Sequence, residues 1–97
     1  MKLFVDDKRD FISGYECAGD YKSAVLLLSV MKFDFVTLDY NLGEEKTGLD
    51  ILKYMHENKK YPGHINIHSD DSEGRQAMRM YAEKNFPSDV TITMNQL

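Results

Sequence analysis

The feature that most constrains the fold is the alternation of short apolar runs with longer amphipathic stretches. Five runs have the length and the β-branched or aromatic content of strands: 3–5, 15–18, 33–39, 64–68 and 90–94. Three stretches between them carry apolar residues at helical spacing: 20–32, 48–58 and 72–84. Strands that alternate with helices indicate a parallel sheet with right-handed crossovers. We therefore predict an α/β domain with a five-stranded parallel sheet.

The link between the first two predicted strands is too short for a regular crossover helix. Residues 6–14 provide nine positions, whereas a parallel crossover takes about twelve residues or more. We therefore predict that the first helix is shortened to a turn or absent. Asp20, at the start of the next amphipathic stretch, has a side chain suited to a helix N-cap.

Length and charge limit the class of protein. The 97 residues suffice for one domain, 1–97, and the net charge of −4 argues against a broad basic surface for nucleic acid. Cys17 is the only cysteine, so neither a disulfide framework nor a cysteine-based zinc site is expected. We find no signal-peptide pattern and no apolar segment of membrane-spanning length. We therefore expect a reducing, cytoplasmic location and no membrane partner.

Acidic residues follow two of the predicted strands. Asp6 and Asp7 come directly after the first apolar run, and Asp39 ends the third. If these runs are neighbouring parallel strands, the three carboxylates meet at the carboxyl edge of the sheet, where open α/β folds place their ligands. Converging carboxylates repel one another unless a cation lies among them, and Mg²⁺ or another hard divalent cation suits oxygen ligands. A solvated turn that merely contains two aspartates is the simpler alternative.

Four sequence blocks together resemble the receiver domain of bacterial response regulators. The resemblance is closer to a divergent branch, the cyclic-phosphate processing receiver domains, and it rests on KLFVDD, LDYNLG, TGLDIL and IHS at 2–7, 38–43, 47–52 and 67–69. It implies a flavodoxin-like fold with helices on both faces of the sheet. The branch also has a shortened link between its first two strands, as this chain does.

The resemblance implies a role for each residue at the sheet edge. Asp39 would be the phosphoacceptor, and Asp6 and Asp7 would hold Mg²⁺ together with Asp39 and the backbone carbonyl of Asn41. Ser69 would donate its hydroxyl to a phosphoryl oxygen. A carboxylate nucleophile has to approach a dianionic phosphoryl group, so a metal ion that neutralises both charges suits this chemistry.

Several positions leave alternatives open. His68 is a core or edge histidine, or it binds phosphate or transfers a proton. Ser69 could instead belong to a helix-capping cluster. Residues 90–97 contain no Lys or Arg where receivers carry an essential Lys, and Tyr40 stands where the branch usually has His. Lys46 or Lys8 could supply the missing charge from a loop.

Three functions are compatible with these features. The first is a receiver that accepts a phosphoryl group on Asp39 and signals through a protein partner, a kinase or an effector. The second is a pseudo-receiver that only binds proteins, for which Tyr15, Tyr40 and Tyr61 would offer exposed aromatic surface. The third is a metal-dependent phosphoesterase acting on cyclic or terminal phosphates. For Arg75, a solvent-facing salt bridge is the expected role. We rank the receiver first and expect no classical enzyme.

Overall fold

The fold is a parallel sheet with three helices. The computed structural model describes residues 1–9 and 11–96. Its strands are β1 Lys2–Val5, β2 Glu16–Ala18, β3 Phe35–Leu38, β4 His64–Ile67 and β5 Thr91–Thr93, and its helices are α1 Tyr21–Val30, α2 Gly48–Glu57 and α3 Ser72–Asn85. All neighbouring strands are parallel, in the order β2-β1-β3-β4-β5. The predicted flavodoxin-like fold class is confirmed.

The link from β1 to β2 contains no helix in its described residues, 6–9 and 11–15. This agrees with the prediction from its length, because a crossover of this size cannot hold several helical turns. None of the helices within the described ranges is long and apolar enough to cross a membrane.

Local side chains explain where the helices begin. The Asp20 carboxylate accepts a hydrogen bond from the backbone N–H of Ser23 at 2.8 Å, so Asp20 is the N-cap that the sequence predicts. Thr47 and Asp50 form a capping box at the start of α2, in which the Thr47 N–H donates to the Asp50 carboxylate at 2.8 Å. The N-cap of α3 is Asp71. These caps satisfy backbone donors that have no partner inside the helix.

One face of the sheet and all three helices share the hydrophobic core. The strands contribute alternate residues to it, namely Leu3, Val5, Val36, Leu38, Ile65 and Ile67, and the helices contribute Ala24, Leu28, Ile51, Leu52, Met55, Met78 and Ala82. Burying a large aliphatic side chain contributes about 1.5–3 kcal/mol. Since the crossovers β2–β3, β3–β4 and β4–β5 all run in one direction across the sheet, right-handed connections place their helices on the same face.

On the other face, described side chains of the β1–β2 loop pack against Phe4. Phe4 is buried there, with its ring stacked on the His68 imidazole at a centroid distance of 4.8 Å. Tyr15 packs edge-on against Phe4, and the Arg9 guanidinium lies 5.5 Å from the centre of the same ring. The expected second layer of helices is therefore replaced, in the part of the chain that the structure describes, by loop side chains. The reason is the short β1–β2 link, since a crossover of nine residues is too short to hold several helical turns.

Strand β5 is shorter than predicted because the chain turns away after Thr93. The Asn66 side chain, on the second face of the sheet, accepts a hydrogen bond from the Asn95 N–H at 2.9 Å and donates to the Asn95 carbonyl at 2.8 Å. The Asn66 carboxamide thus pairs with both the N–H and the carbonyl of Asn95, which would otherwise need partners in a neighbouring strand. This directs residues 94–96 over the sheet and ends the ladder before Met94.

The tyrosines expected to be exposed are partly buried. Tyr40 packs its ring against Gly74 in the first turn of α3. Tyr61 packs edge-on against Phe86, with ring centroids 5.1 Å apart, and Tyr15 lies on the second face of the sheet. These rings pack against the rest of the fold, so the expectation that they are exposed is wrong.

Candidate functional site

The strand register brings three polar side chains together at the carboxyl edge of the sheet. Val5 of β1 pairs with Leu38 of β3, so Asp6 and Asp39 follow neighbouring strand ends. The Asp39 N–H donates to the Val5 carbonyl at 3.0 Å, and the His68 N–H donates to the Leu38 carbonyl at 2.9 Å. Parallel pairing therefore continues one residue beyond the strands and sets the three side chains side by side.

These side chains form a compact cluster of Asp6, Asp39 and His68. One ligand atom from each lies within 4.8 Å of the others. His68 Nε2 is 3.2 Å from Asp6 Oδ2, and both residues are buried, with 3% and 6% of their surface exposed. The structure thus brings together two of the three aspartates that the sequence singled out, Asp6 and Asp39, with His68, for which the sequence left a core role and a role at the site open. Asp7 does not belong to this cluster.

Asp7 is held differently from Asp6. Its carboxylate lies against Gly43, where an added Cβ would stand 2.8 Å from Asp7 Oδ2, and Gly43 has a φ of +70° that favours glycine. Asp7 Oδ1 is buried and has no hydrogen-bond partner among the described residues. A buried carboxylate oxygen without a donor requires an explanation, and a bound divalent cation would provide the missing partner. The Lys8 side chain is exposed, and its backbone N–H donates to Asp6 Oδ1 at 2.8 Å.

The surroundings of the cluster shift the pKa values of Asp39 and His68. Burial raises the pKa of Asp39, a hydrogen bond from the Ser69 hydroxyl opposes this shift, and the charge of Asp6 adds to it. Burial lowers the pKa of His68, although the charges of Asp6 and Asp39 act against this. A neutral imidazole beside two carboxylates leaves their mutual repulsion in place. A bound cation would remove it, so the donor set fits a divalent metal.

Ser69 and Asn41 have distinct surroundings. Ser69 is buried, and its hydroxyl interacts with Asp39 and accepts a hydrogen bond from the Asp71 N–H at 3.2 Å. Since Asp71 caps α3, Ser69 does not serve as that cap. Asn41 is exposed, and its Nδ2 donates to Asp71 Oδ2 at 3.4 Å, so its side chain is turned toward Asp71.

The cationic groups lie elsewhere than expected. Lys46 Nζ stands over the Tyr21 ring, 5.1 Å from its centre, at the start of α1. Arg75 has no solvent-facing salt bridge among the described residues: its Nη1 donates to the Ser69 carbonyl at 2.7 Å. The carboxamide of Gln96, beyond β5, donates to the same carbonyl at 3.3 Å. Arg75 and Gln96 therefore supply the donors beside Ser69.

Two polar residues behind His68 were not singled out from the sequence. Thr37 is buried on β3, and its Oγ1 lies 2.7 Å from His68 Nδ1. Asn66 is buried on β4 and donates from Nδ2 to Thr37 Oγ1 at 3.0 Å. The signal that could have found them is the regular alternation of polar side chains with Ile65 and Ile67 in β4, on a face that the sequence analysis assigned to helices.

One comparison with known proteins gave a match. The sequence model of a family described as the cyclic-phosphate processing receiver domain matches residues 1–84, which include every residue of the cluster. The comparisons with curated proteins and with solved structures each returned no match.

Proposed function

The chain belongs to the family of cyclic-phosphate processing receiver domains, and from this premise we propose that it binds a divalent cation and accepts a phosphoryl group on Asp39. The observation that carries the proposal is the convergence of Asp6 and Asp39 at one sheet edge. The buried Oδ1 of Asp7, the residue that follows Asp6, has no hydrogen-bond partner among the described residues and would be a further ligand.

The cation site would use oxygen ligands. Asp6, Asp7 and Asp39 would provide carboxylates, and the backbone carbonyl of Asn41 would complete the protein's share. Mg²⁺ suits such ligands because it is a hard cation that keeps several water molecules. When bound, it would neutralise the carboxylates and the incoming phosphoryl group.

In the proposed transfer, an oxygen of the Asp39 carboxylate forms a bond to phosphorus. The bond from phosphorus to the leaving group breaks, and the leaving group departs with the electron pair. The Ser69 hydroxyl, already beside Asp39, would donate to a phosphoryl oxygen. Arg75 is anchored on the Ser69 carbonyl and would add positive charge at this edge. Such transfer depends mainly on positioning and electrostatic stabilisation.

The phosphorylated chain would act through a protein partner. Receiver domains generally interact with proteins, a kinase upstream or an effector downstream. The proposed trigger is the charge change at Asp39, because a phosphoryl group adds about −1.5 to −2 charges and strong acceptors to its surroundings.

The test is incubation with acetyl phosphate and Mg²⁺, followed by intact mass measurement and mapping of the adduct. We expect a single phosphoryl adduct on Asp39. It should be absent in Asp39→Asn and retained in Asp89→Asn, a matched change at an exposed aspartate of the α3–β5 loop. Mg²⁺ binding without any adduct would refute the phosphoacceptor role.

A second candidate function is metal-dependent processing of cyclic phosphates. It is favoured by the burial of His68 against Asp6, because a histidine there could move a proton during phosphoester cleavage. The description of the matched family points the same way. The discriminating assay offers a 2′,3′-cyclic nucleotide with Mg²⁺. Product formed in large excess over protein, and lost in His68→Gln, would support this function, whereas a single adduct per chain supports the first.

A further inference from the structure

A continuous chain of hydrogen bonds crosses the second face of the sheet and ends at the proposed cation site. We call it the polar chain, and its members are His64, Thr93, Asn66, Thr37, His68 and Asp6. The direction of each hydrogen bond can be worked out from groups that can only donate or only accept.

The orientation of the Asn66 carboxamide determines which groups of the polar chain donate and which accept. The Asn95 N–H can only donate, so the Asn66 atom facing it is the carbonyl oxygen Oδ1, at 2.9 Å. The Asn95 carbonyl can only accept, so the atom facing it is Nδ2, at 2.8 Å. The backbone of Asn95 therefore fixes both ends of the carboxamide, which removes the usual ambiguity between its oxygen and nitrogen.

On one side of Asn66, the hydrogen-bond directions can be assigned as far as His64. Asn66 Oδ1 can only accept, so the Thr93 hydroxyl, 2.6 Å away, donates to it. The Thr93 oxygen is then left as an acceptor toward His64 Nε2, at 2.8 Å. His64 therefore carries a proton on Nε2.

On the other side of Asn66, the hydrogen-bond directions can be assigned as far as His68. Asn66 Nδ2 can only donate, so Thr37 Oγ1 accepts from it at 3.0 Å. The hydrogen of the Thr37 hydroxyl still needs an acceptor, and within the described ranges His68 Nδ1, 2.7 Å away, is the one available. Thr37 is fully buried, so leaving this hydrogen unpaired would carry a desolvation penalty. Thr37 therefore donates to Nδ1.

With Nδ1 as an acceptor, a neutral imidazole has its proton on Nε2. That atom faces Asp6 Oδ2 at 3.2 Å and donates to it. The lone pair that a metal ion would need on Nε2 is then absent, although the position of His68 within the cluster would otherwise suit a ligand.

We propose that Thr37 and Asn66 are positioning residues that hold His68 as the Nε2–H tautomer, so that His68 orients Asp6 instead of binding the cation. The inference rests on the proposed function for the cation itself. Its consequence is a site made only of oxygen ligands. Such a site favours Mg²⁺, whereas a histidine nitrogen among the ligands would raise the affinity for Zn²⁺.

The first test reads the tautomer directly. The whole chain, labelled with ¹⁵N, is examined by long-range ¹H–¹⁵N correlation of its histidine rings, first without cation and then with Mg²⁺. We expect an unprotonated Nδ1 and a protonated Nε2 for His68 in both states. A protonated Nδ1, or loss of the Nε2 proton when Mg²⁺ binds, would overturn the proposal.

Two variants test whether Thr37 sets the tautomer. Thr37→Ser keeps the hydroxyl and should keep the wild-type pattern. Thr37→Val removes the donor at nearly equal volume, so both tautomers should be populated and the Zn²⁺ affinity relative to Mg²⁺ should rise about tenfold, the size typical of changes beside a metal ligand. A wild-type tautomer in folded Thr37→Val would refute the positioning role.

Failure of the tautomer proposal can be distinguished from failure of the proposed cation site. Backbone amide shifts of Asp6 and Asp39 during the Mg²⁺ titration report cation binding. If they do not move, the proposed cation site fails, while the tautomer measured in the metal-free protein still decides the role of Thr37.

Discussion

Removing the charge of Asp39 should stabilise the protein in the absence of a divalent cation. Asp39 and Asp6 place carboxylate oxygens within 4.8 Å of each other, and the neighbouring His68 is too buried to offer a full compensating charge. Asp39→Asn keeps the shape of the side chain and removes the repulsion. The Asp39 carboxylate, which the proposed function requires, would therefore lower the stability of the metal-free protein.

The expected gain follows from the separation. Two unit charges about 4.8 Å apart repel by about 1 kcal/mol in water and by about 3.5 kcal/mol at the effective dielectric constant of a protein surface. Asp39 is only half-buried and also accepts stabilising hydrogen bonds, so solvent screening reduces the net gain to about 1–2 kcal/mol. In a domain of this length, each kcal/mol corresponds to a rise in Tm of about 4–8 °C.

The size of the expected gain also depends on pH. Because the pKa of folded Asp39 is raised above 3.8, ionisation is less favourable in the folded than in the unfolded chain. The wild type therefore loses stability relative to Asp39→Asn as pH rises through 3.8 and the higher folded pKa. The difference between the two proteins should be full at neutral pH and vanish below 3.8.

Urea unfolding with EDTA at pH 7 and at pH 3 measures this difference. Asp89→Asn serves as the control and should change the free energy of unfolding by less than about 0.5 kcal/mol. Mg²⁺ should reverse the order, because binding at 100 times Kd adds about 2.7 kcal/mol to the wild type and much less to Asp39→Asn. If Asp39→Asn is less stable than the wild type in EDTA at neutral pH, the carboxylates do not repel as inferred.

Three further predictions concern the loops and caps. Gly43→Ala should weaken Mg²⁺ binding in a calorimetric titration, because its Cβ would displace the Asp7 carboxylate, whereas Gly14→Ala, which has a similar positive φ and open space around it, should leave binding unchanged. Thr47→Ala should lower the free energy of unfolding in urea by about 1 kcal/mol through loss of the α2 cap; an unchanged value would show that the cap contributes nothing. The hydrogen bond from Ser23 at the α1 N-terminus lowers the pKa of Asp20, so ionised Asp20 stabilises the fold above pH 3.8, and this stabilisation is lost as the pH falls below 3.8. Asp20→Asn caps the helix without titrating, so its free energy of unfolding in urea should fall less between pH 5 and pH 3 than that of the wild type.

The fold could be predicted because its signals are local. Asp20 and the TGLD segment at 47–50 begin helices through side-chain contacts with residues two or three positions away. The strands are marked by short apolar runs, and their bounds differed from prediction by one or two residues, as at β5, where Asn66 draws Asn95 out of the ladder. The early end of β5 depends on the contact of Asn95 with Asn66, which lies 29 residues away in the sequence and is not marked by any local pattern.

The candidate site was predictable in part. Asp6, Asp7 and Asp39 follow strand ends, and parallel strands bring their ends to one edge, so sequence and topology together suffice to place them there. The contact of Asp7 with Gly43 was not predictable, because it depends on the path of the β3–α2 loop.

Short segments of the sequence suffice to predict the α/β class, a first helix that is shortened or absent, and the edge at which the carboxylates collect, since apolar periodicity, link length and strand ends are local properties. The single helical face and the contact of His68 with Asp6, by contrast, follow only from the assembled sheet. His68 lies 62 residues from Asp6 and 31 from Thr37 along the chain. Its hydrogen-bond partners exist only once β1, β3 and β4 are side by side, so no local pattern could have assigned its tautomer.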